Sequence, residues 1–289
     1  MPTFATPEPI TASIELAVGD ALITASDRGD TVVEVRPSDP DKEVDIRAAA
    51  ETRVEFTPSS GLLVIHGPKQ RGLGRMARTA SIDIAVELPT GSQVDASAAV
   101  ATFRLRGRVG SCRLKTSSGG IQIEQSGALD IATSAGPVTV DRVTGDADVR
   151  TASGRLRIGE IDGSAVIKNS NGDSWVGDVH GDLRIHGANG DIAVDRARGN
   201  VDAATANGDV RVGDVAQGST TLKTAMGQIE VGVHAGSAAR FDAHTSMGRV
   251  RNEMSATDQP DAGQQRVEVR ARTSHGDILI HRAVDGAGK

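Results

Sequence analysis

The sequence contains very few aromatic residues: one Trp, four Phe and no Tyr in 289 residues. A core built on large rings is therefore excluded, and small branched side chains must fill the interior, which favours β structure. Cysteine is equally scarce. Because Cys112 is the only one, it cannot form an internal disulfide, and nothing indicates an oxidising compartment.

Basic charge and long apolar runs are also lacking. The formal net charge is −6, from 32 basic and 38 acidic residues, which argues against nucleic-acid binding. No window approaches the ~18 uncharged apolar residues of a spanning helix, so we expect no direct membrane insertion. The first eight residues have no basic or apolar region typical of a signal peptide, which predicts a cytoplasmic protein.

What the sequence does contain is a repeat. From residue 116 onward, a segment of the form Thr-small-x-Gly recurs, and the steps between its glycines are 17, 18, 18, 18, 18, 19, 21 and 28 residues. The position two before the glycine is Ser or Ala in all nine units, and the position three before is Thr in seven. The predicted corner glycines are Gly119, Gly136, Gly154, Gly172, Gly190, Gly208, Gly227, Gly248 and Gly276.

A second series of glycines, from Gly110 to Gly236, keeps nearly the same period. Apolar residues stand two and four positions after most glycines of both series, for example Ile192 and Val194 after Gly190. This alternation predicts two short strands per unit, joined by two glycine-bearing corners. The recurrence of the same side chains at each corner favours an all-β solenoid of stacked, ~18-residue, two-strand rungs. A hairpin-built sandwich or barrel is the alternative.

The first hundred residues are rich in strand patterns without this period. We predict a β-rich N-terminal part over 10–95 that packs on the end of the repeat, a repeat solenoid over 96–283, and a single continuous domain. Residues 45–51, with three consecutive Ala, predict one short helix, and residues 255–265 predict a loop.

Three segments carry a resemblance to a known family: Gly-Leu-Leu-Val at 61–64, Ser-Ile-Asp-Ile at 81–84, and Leu-Pro-Thr-Gly-Ser at 88–92 before the Thr-x-x-Gly rungs. Over residues 10–282 the sequence resembles the bacterial putative-adhesin family of β-strand-repeat proteins, also called toast-rack domains. The resemblance implies a β-solenoid of largely undefined role, found in cytoplasmic forms and in forms attached to membrane-anchored envelope-stress proteins. It implies no catalytic residues.

Trp175 is the sharpest binding candidate. It is expected to point outward, in the same column of the stack as Arg157 and Arg211, and an exposed Trp near Arg is typical of a partner-binding surface. The alternative is a Trp covered by a neighbouring segment. The basic segment 68–78 could meet an acidic partner, although a solvated loop is the simpler interpretation.

Metal and catalytic sites find less support. Asp173, Asp191 and Asp209 form a row that a Ca²⁺ ion could bridge, but a solvated turn is the simpler reading and we predict no metal or other cofactor. The His spacing matches no metal motif. The outward carboxylates Glu124, Asp141 and Asp195 are interrupted by glycines, so no catalytic residue is predicted.

The sequence therefore predicts a non-enzymatic interaction scaffold that binds a protein partner, with self-association as a further option. The second hypothesis is an envelope-associated adhesin or stress-sensing module. The third is a solenoid enzyme that acts on polysaccharides.

Overall fold

The computed structural model describes residues 1–68, 80–254 and 265–283. The chain divides into two compact units, Met1–Thr144 and Gly145–Lys289. Both are built almost entirely of β-strands. The basic segment 68–78, except for Pro68, lies outside the described residues, as does most of the predicted loop 255–265.

The first unit contains eleven described strands and one helix. They are β1 (Thr3–Ala5), β2 (Thr11–Ser26), β3 (Asp30–Pro37), α1 (Glu43–Glu51), β4 (Arg53–Thr57), β5 (Leu62–His66), β6 (Ile82–Pro89), β7 (Gln93–Arg108), β8 (Cys112–Ser118), β9 (Ile121–Ser126), β10 (Leu129–Ala135) and β11 (Val138–Val143). Helix α1 confirms the helix predicted from the alanine run.

Strands of successive repeats pair in parallel. In the first unit β8 pairs with β10 and β9 with β11, so that Leu129 lies beside Cys112 and Val138 beside Ile121. Parallel pairing at the repeat distance is the mark of stacked rungs, because the neighbouring strands of a hairpin run antiparallel. The hairpin-built sandwich is therefore excluded for the repeat, and the β-solenoid is confirmed.

Two rungs of the first unit lack the Thr-x-x-Gly repeat in their sequence. Strand β2 pairs in parallel with β7 from Thr11 beside Gln93 to Thr24 beside Arg106, and β7 in turn pairs with β8 and β9. Each of these long strands replaces two short ones. The corner glycine has no counterpart in β7, where Ala101 lies beside Gly19, so the Thr-x-x-Gly signature is lost.

Antiparallel strands cover the outer edge of β2. There β2 pairs in parallel with β5 and β6, which in turn pair antiparallel with β4 and β3. Strand β1 adds to β3, and the rings of Phe4 and Phe56 lie 5.3 Å apart. Strands β3 to β6 thus cover the edge of β2 that faces away from β7.

The second unit contains fourteen described strands. They are β12 (Ala147–Ser153), β13 (Leu156–Ile161), β14 (Ala165–Asn171), β15 (Ser174–Val179), β16 (Leu183–Asn189), β17 (Ile192–Ala197), β18 (Val201–Ala204), β19 (Val210–Val215), β20 (Gly218–Met226), β21 (Ile229–Val233), β22 (Ala238–Met247), β23 (Val250–Asn252), β24 (Arg266–His275) and β25 (Ile278–Arg282).

The core of the second unit consists of aliphatic columns. Ile158, Val176, Val194 and Val212 follow one another in register at the same strand position, and all four are fully buried or nearly so. Burial of a Val or Ile side chain stabilises a fold by roughly 1.5–3 kcal/mol. A repeated column of such residues therefore holds the stack together without aromatic side chains.

The last two rungs do not follow chain order. Strand β24 pairs with β20 on one side and β22 on the other, and β25 likewise lies between β21 and β23. The rung made of residues 266–282 is therefore inserted beneath the rung made of residues 238–252. The long glycine steps of 21 and 28 residues accompany this exchange. In the described parts of the chain, no helix has the length and apolar character needed to cross a bilayer.

Candidate binding surface around Trp175

The corner glycines bring successive rungs into close contact. All nine predicted glycines adopt positive φ values, between 126° and 159°. A Cβ atom at Gly172 would lie 2.3 Å from the carbonyl oxygen of Gly154, which is far inside van der Waals contact. The repeat thus requires glycine both for backbone conformation and for space.

The threonine that stands three residues before seven of the nine glycines bonds to corner carbonyls in several rungs. The buried Thr224 hydroxyl donates to the carbonyl of Gly208 at 2.9 Å, and Thr273 donates to Gly227 at 3.1 Å. In the rung where Asn169 replaces Thr, its amide nitrogen donates to the carbonyl of Gly172 at 2.9 Å. In these rungs the column supplies donors to corner carbonyls, whereas the buried hydroxyls of Thr133 and Thr151 have no hydrogen-bond partner among the described residues.

The row of aspartates also links rungs. The carboxylate of Asp173 accepts the backbone N–H of Asp191 at 3.2 Å, and Asp209 accepts the N–H of Gln228 at 2.7 Å. The neighbouring asparagines form a ladder in which Asn189 donates to Asn171 and Asn207 to Asn189, each at 2.8 Å. The row therefore caps backbone groups, and this role explains it without a Ca²⁺ ion.

Trp175 lies half-buried on the outer face of β15 and is held from two directions. The guanidinium carbon of Arg157 lies 3.8 Å from the centre of the indole ring, a cation–π contact. The indole N–H donates to the carboxylate of Asp195 at 3.1 Å. The ring extends over Gly177, where an added Cβ would lie 3.2 Å from it.

Arg211 is separated from this pair. The register places Arg157 beside Trp175, Trp175 beside Ala193, and Ala193 beside Arg211. The Arg211 side chain lies 3.6 Å from the carboxylate of Glu230. The structure thus brings two of the three predicted surface residues into contact. The small side chain of Ala193 leaves a shallow depression between Trp175 and Arg211, called the step below.

The carboxylates considered for catalysis have other partners. Asp195 accepts the Trp175 N–H, and Glu124 accepts the backbone N–H of Gly107 at 2.7 Å. A separate group, Glu160, Asp162 and His180, brings three possible metal-ligand atoms within 4.8 Å of one another, with 3.5 Å between His180 and Asp162. Three partly exposed donors fall short of the four protein ligands of a structural zinc site.

Sequence reasoning missed a cavity in the second unit. The pairing of β19 with β21 contains a bulge between Val212 and Val215, and a cavity of about 500 Å³ adjoins it, lined by Asp214 and His234 among others. Bulges re-aim side chains and interrupt regular pairing. The only sequence signal is the 19-residue step between Gly208 and Gly227, one residue longer than the preceding steps.

Cys112 lies in the interior of the first unit. Only 2% of its surface is exposed, and burial raises the pKa of the thiol to about 12. A thiolate is therefore strongly disfavoured, and Cys112 is a core residue, not a nucleophile.

Several solved structures are similar to this chain. A putative adhesin from Bacteroides fragilis is 14% identical, with 96% of this chain and 95% of that chain covered and a TM-score of 0.35. A putative adhesin from Parabacteroides merdae is 12% identical, with coverages of 96% and 94% and a TM-score of 0.44. A putative lipid-binding protein from Parabacteroides distasonis is 12% identical, with coverages of 96% and 95% and a TM-score of 0.32.

A search of the curated proteins gave no match. The model of the family described as Toastrack DUF4097, in contrast, matches residues 23–281. This match begins near the end of β2 and covers the rungs of both units. The chain belongs to the Toastrack DUF4097 family, as its strand-repeat resemblance implied.

Proposed function

We propose that this protein is a non-enzymatic β-solenoid module, acting in the cytoplasm, that binds a protein partner through the surface around Trp175. The observation that carries the proposal is the placement of the chain's single Trp on an outer strand face, half-exposed and held in one orientation by Arg157 and Asp195. Core packing does not account for this position, because the interior is filled by aliphatic columns.

The surroundings of Trp175 suit a binding hot spot. Its ring is fixed before binding, which reduces the conformational entropy that association would otherwise cost. Ala193 leaves a shallow step beside the ring, and Arg211 lies across that step as a charged rim. Trp and Arg near the centre of an interface are the residues that most often dominate binding energy.

A protein fits this surface better than the alternatives. The formal charge of −6 opposes a nucleic acid, since phosphate contacts dominate affinity there. A glycan usually stacks on several aromatic rings, and this chain has only one Trp and no Tyr. An aliphatic or aromatic side chain of a partner could fill the step at Ala193.

The experiment compares three purified baits in native lysate: wild type, Trp175→Ala and Lys168→Ala. Lys168 is exposed on β14, the other strand of the same rung, and Lys168→Ala is the matched surface control. We expect one partner to be captured by wild type and the control but not by Trp175→Ala. The purified partner should then bind Trp175→Ala at least about tenfold more weakly.

Two results contradict the proposal. One is equal capture of every protein by all three baits while circular dichroism shows Trp175→Ala to be folded. The other is turnover of a polysaccharide in a glycan-cleavage screen, which favours the enzyme hypothesis. Recovery of the native protein in the envelope fraction would contradict the cytoplasmic placement alone.

A further inference from the structure

Polar and charged residues line most of the cavity beside the β19–β21 bulge. Its lining includes Arg196, Arg198, Asp214, Gln217, His234 and Gln265, and its volume of about 500 Å³ is in the range that holds a small molecule. Four of these side chains are nitrogen donors from Arg or Gln. None of them belongs to the surface around Trp175, so the cavity is a separate site.

The charges in the cavity do not cancel. Asp214 is already engaged, with its carboxylate 3.0 Å from the Nδ1 atom of His234 and 3.8 Å from Arg196. Arg196 is also bound to Asp178 at 3.2 Å. In the part of the chain that the structure describes, no acidic side chain pairs with Arg198.

An unpaired guanidinium is well suited to an oxyanion. Its planar fork offers two parallel N–H donors, which match the geometry of a carboxylate or a phosphate. The amides of Gln217 and Gln265, on the same lining, can bond to hydroxyl or amide groups elsewhere on a ligand.

We propose that the cavity binds the oxyanion of a small polar ligand, a carboxylate or a phosphate group, with Arg198 as its main anchor. Arg196 and His234 line the same space and contact Asp214, the carboxylate among the described lining residues, which leaves Arg198 to face the ligand. The site lies where the pairing of β19 with β21 loses register between Val212 and Val215, while Asp214 stays in register with Arg196 of β17.

The test uses isothermal titration calorimetry at constant ionic strength, with sodium phosphate, sodium glucuronate and uncharged glucose as probes. Binding of phosphate alone assigns a phosphate ligand, binding of glucuronate alone assigns a carboxylate, and binding of both supports the shared chemistry. Glucose should not bind. Arg198→Gln should weaken the binding of the anion at least about tenfold, because a charge-assisted hydrogen bond is lost.

Arg155→Gln is the matched control, since Arg155 is an exposed arginine of the same unit outside the cavity, and it should bind like wild type. Arg198→Lys keeps the charge but loses the fork, so its affinity should lie between those of wild type and Arg198→Gln. Arg198 is exposed, and thermal unfolding will verify that the variants are folded. Equal anion affinity in wild type and Arg198→Gln, or no binding of either anion at millimolar concentration, would overturn the proposal.

Discussion

The carboxylate of Asp191 accepts a hydrogen bond at 2.8 Å from the backbone N–H of Asp209, the equivalent residue of the next rung. The opposite corner repeats the arrangement, with Asp182 accepting the N–H of Asn200 at 2.9 Å. Each corner side chain thus satisfies a donor that belongs to its neighbour. Where the residue that follows the corner glycine is Asp or Asn, its side chain therefore accepts a bond from the next rung.

We expect Asp191→Ala to reduce the free energy of unfolding by about 1 kcal/mol, because the backbone donor of Asp209 loses its protein partner. Asp191→Asn should retain most of the stability, since its amide oxygen can accept the same bond, as that of Asn200 does from Ser219. Urea unfolding followed by circular dichroism measures both. Equal stability of the two variants would show that the corner bond contributes nothing.

Substitution by Ala should destabilise the protein strongly at Gly119 and only slightly at Gly120. At Gly119 the φ angle is 130° and a Cβ would lie 1.9 Å from the carbonyl oxygen of Ala101, so Gly119→Ala should cost more than about 3 kcal/mol. At Gly120 the nearest atom would be 3.7 Å away, so Gly120→Ala should change stability by less than about 1 kcal/mol. Chemical denaturation of both variants checks this, and similar losses would contradict the close approach of the rungs.

Deletion of a whole repeat should preserve the fold. Removal of residues 172–189 joins Asn171 to Gly190, and the parallel register of Asn171 with Asn189 means that downstream columns stay in phase. The shortened protein should remain folded and all-β, though less stable by about one rung interface.

Removal of only residues 172–180 is the matched control. This deletion takes out β15 without β16, so the next strand meets the wrong face of its neighbour and the protein should aggregate. Circular dichroism and size-exclusion chromatography compare the two deletions. Identical behaviour would contradict independent stacking of the rungs.

Cys112 should resist thiol reagents in the native state. Because burial raises the pKa of its thiol to about 12, reaction with an aromatic disulfide at pH 8 should be far slower than in guanidinium chloride. The native state also keeps a proton that the unfolded chain releases above pH ~9, so this group's contribution to stability is complete below pH ~9 and declines toward pH ~12. Rapid labelling of the folded protein at pH 8 would show that the first unit opens at Cys112.

Calcium should not stabilise the protein. The Asp173, Asp191 and Asp209 carboxylates already accept backbone donors and lack the six to eight oxygen ligands of a Ca²⁺ site. Thermal unfolding in EDTA and in millimolar Ca²⁺ should give the same Tm. An increase of more than a few degrees would show that the aspartate row binds the ion.

The fold was predictable where one residue type has one geometric role. The Thr-x-x-Gly signature identifies corners because only glycine fits there, and strand alternation identifies the buried columns. Strand patterns within β2 were predicted, but the role of β2 and β7 as long strands of stacked rungs was missed, because Ala101 occupies the position of a corner glycine. The exchange of the last two rungs was missed because a periodic sequence defines what a rung is but not which rung it contacts.

Of the two candidate sites, one could be predicted from the sequence and the other could not. The contact between Arg157 and Trp175 followed from counting 18 residues along one column. The cavity anchored by Arg198 did not, since it depends on a bulge in β19, and a single additional residue does not indicate which side chains will converge. Regular geometry can be read from spacing, whereas the local irregularity requires coordinates.

The exchanged order of the last rungs has a consequence for synthesis on the ribosome. Residues 238–252 emerge before residues 266–282, yet among the described strands they pair with β24 and β25. While the chain is being made, the nascent rung has no native neighbour and β20 still offers an open edge. Translation must therefore pass residue 282 before the outermost rung finds its permanent place, and a ribosome that stalls at the 255–264 insertion would leave a chain able to form the wrong, chain-order pairing.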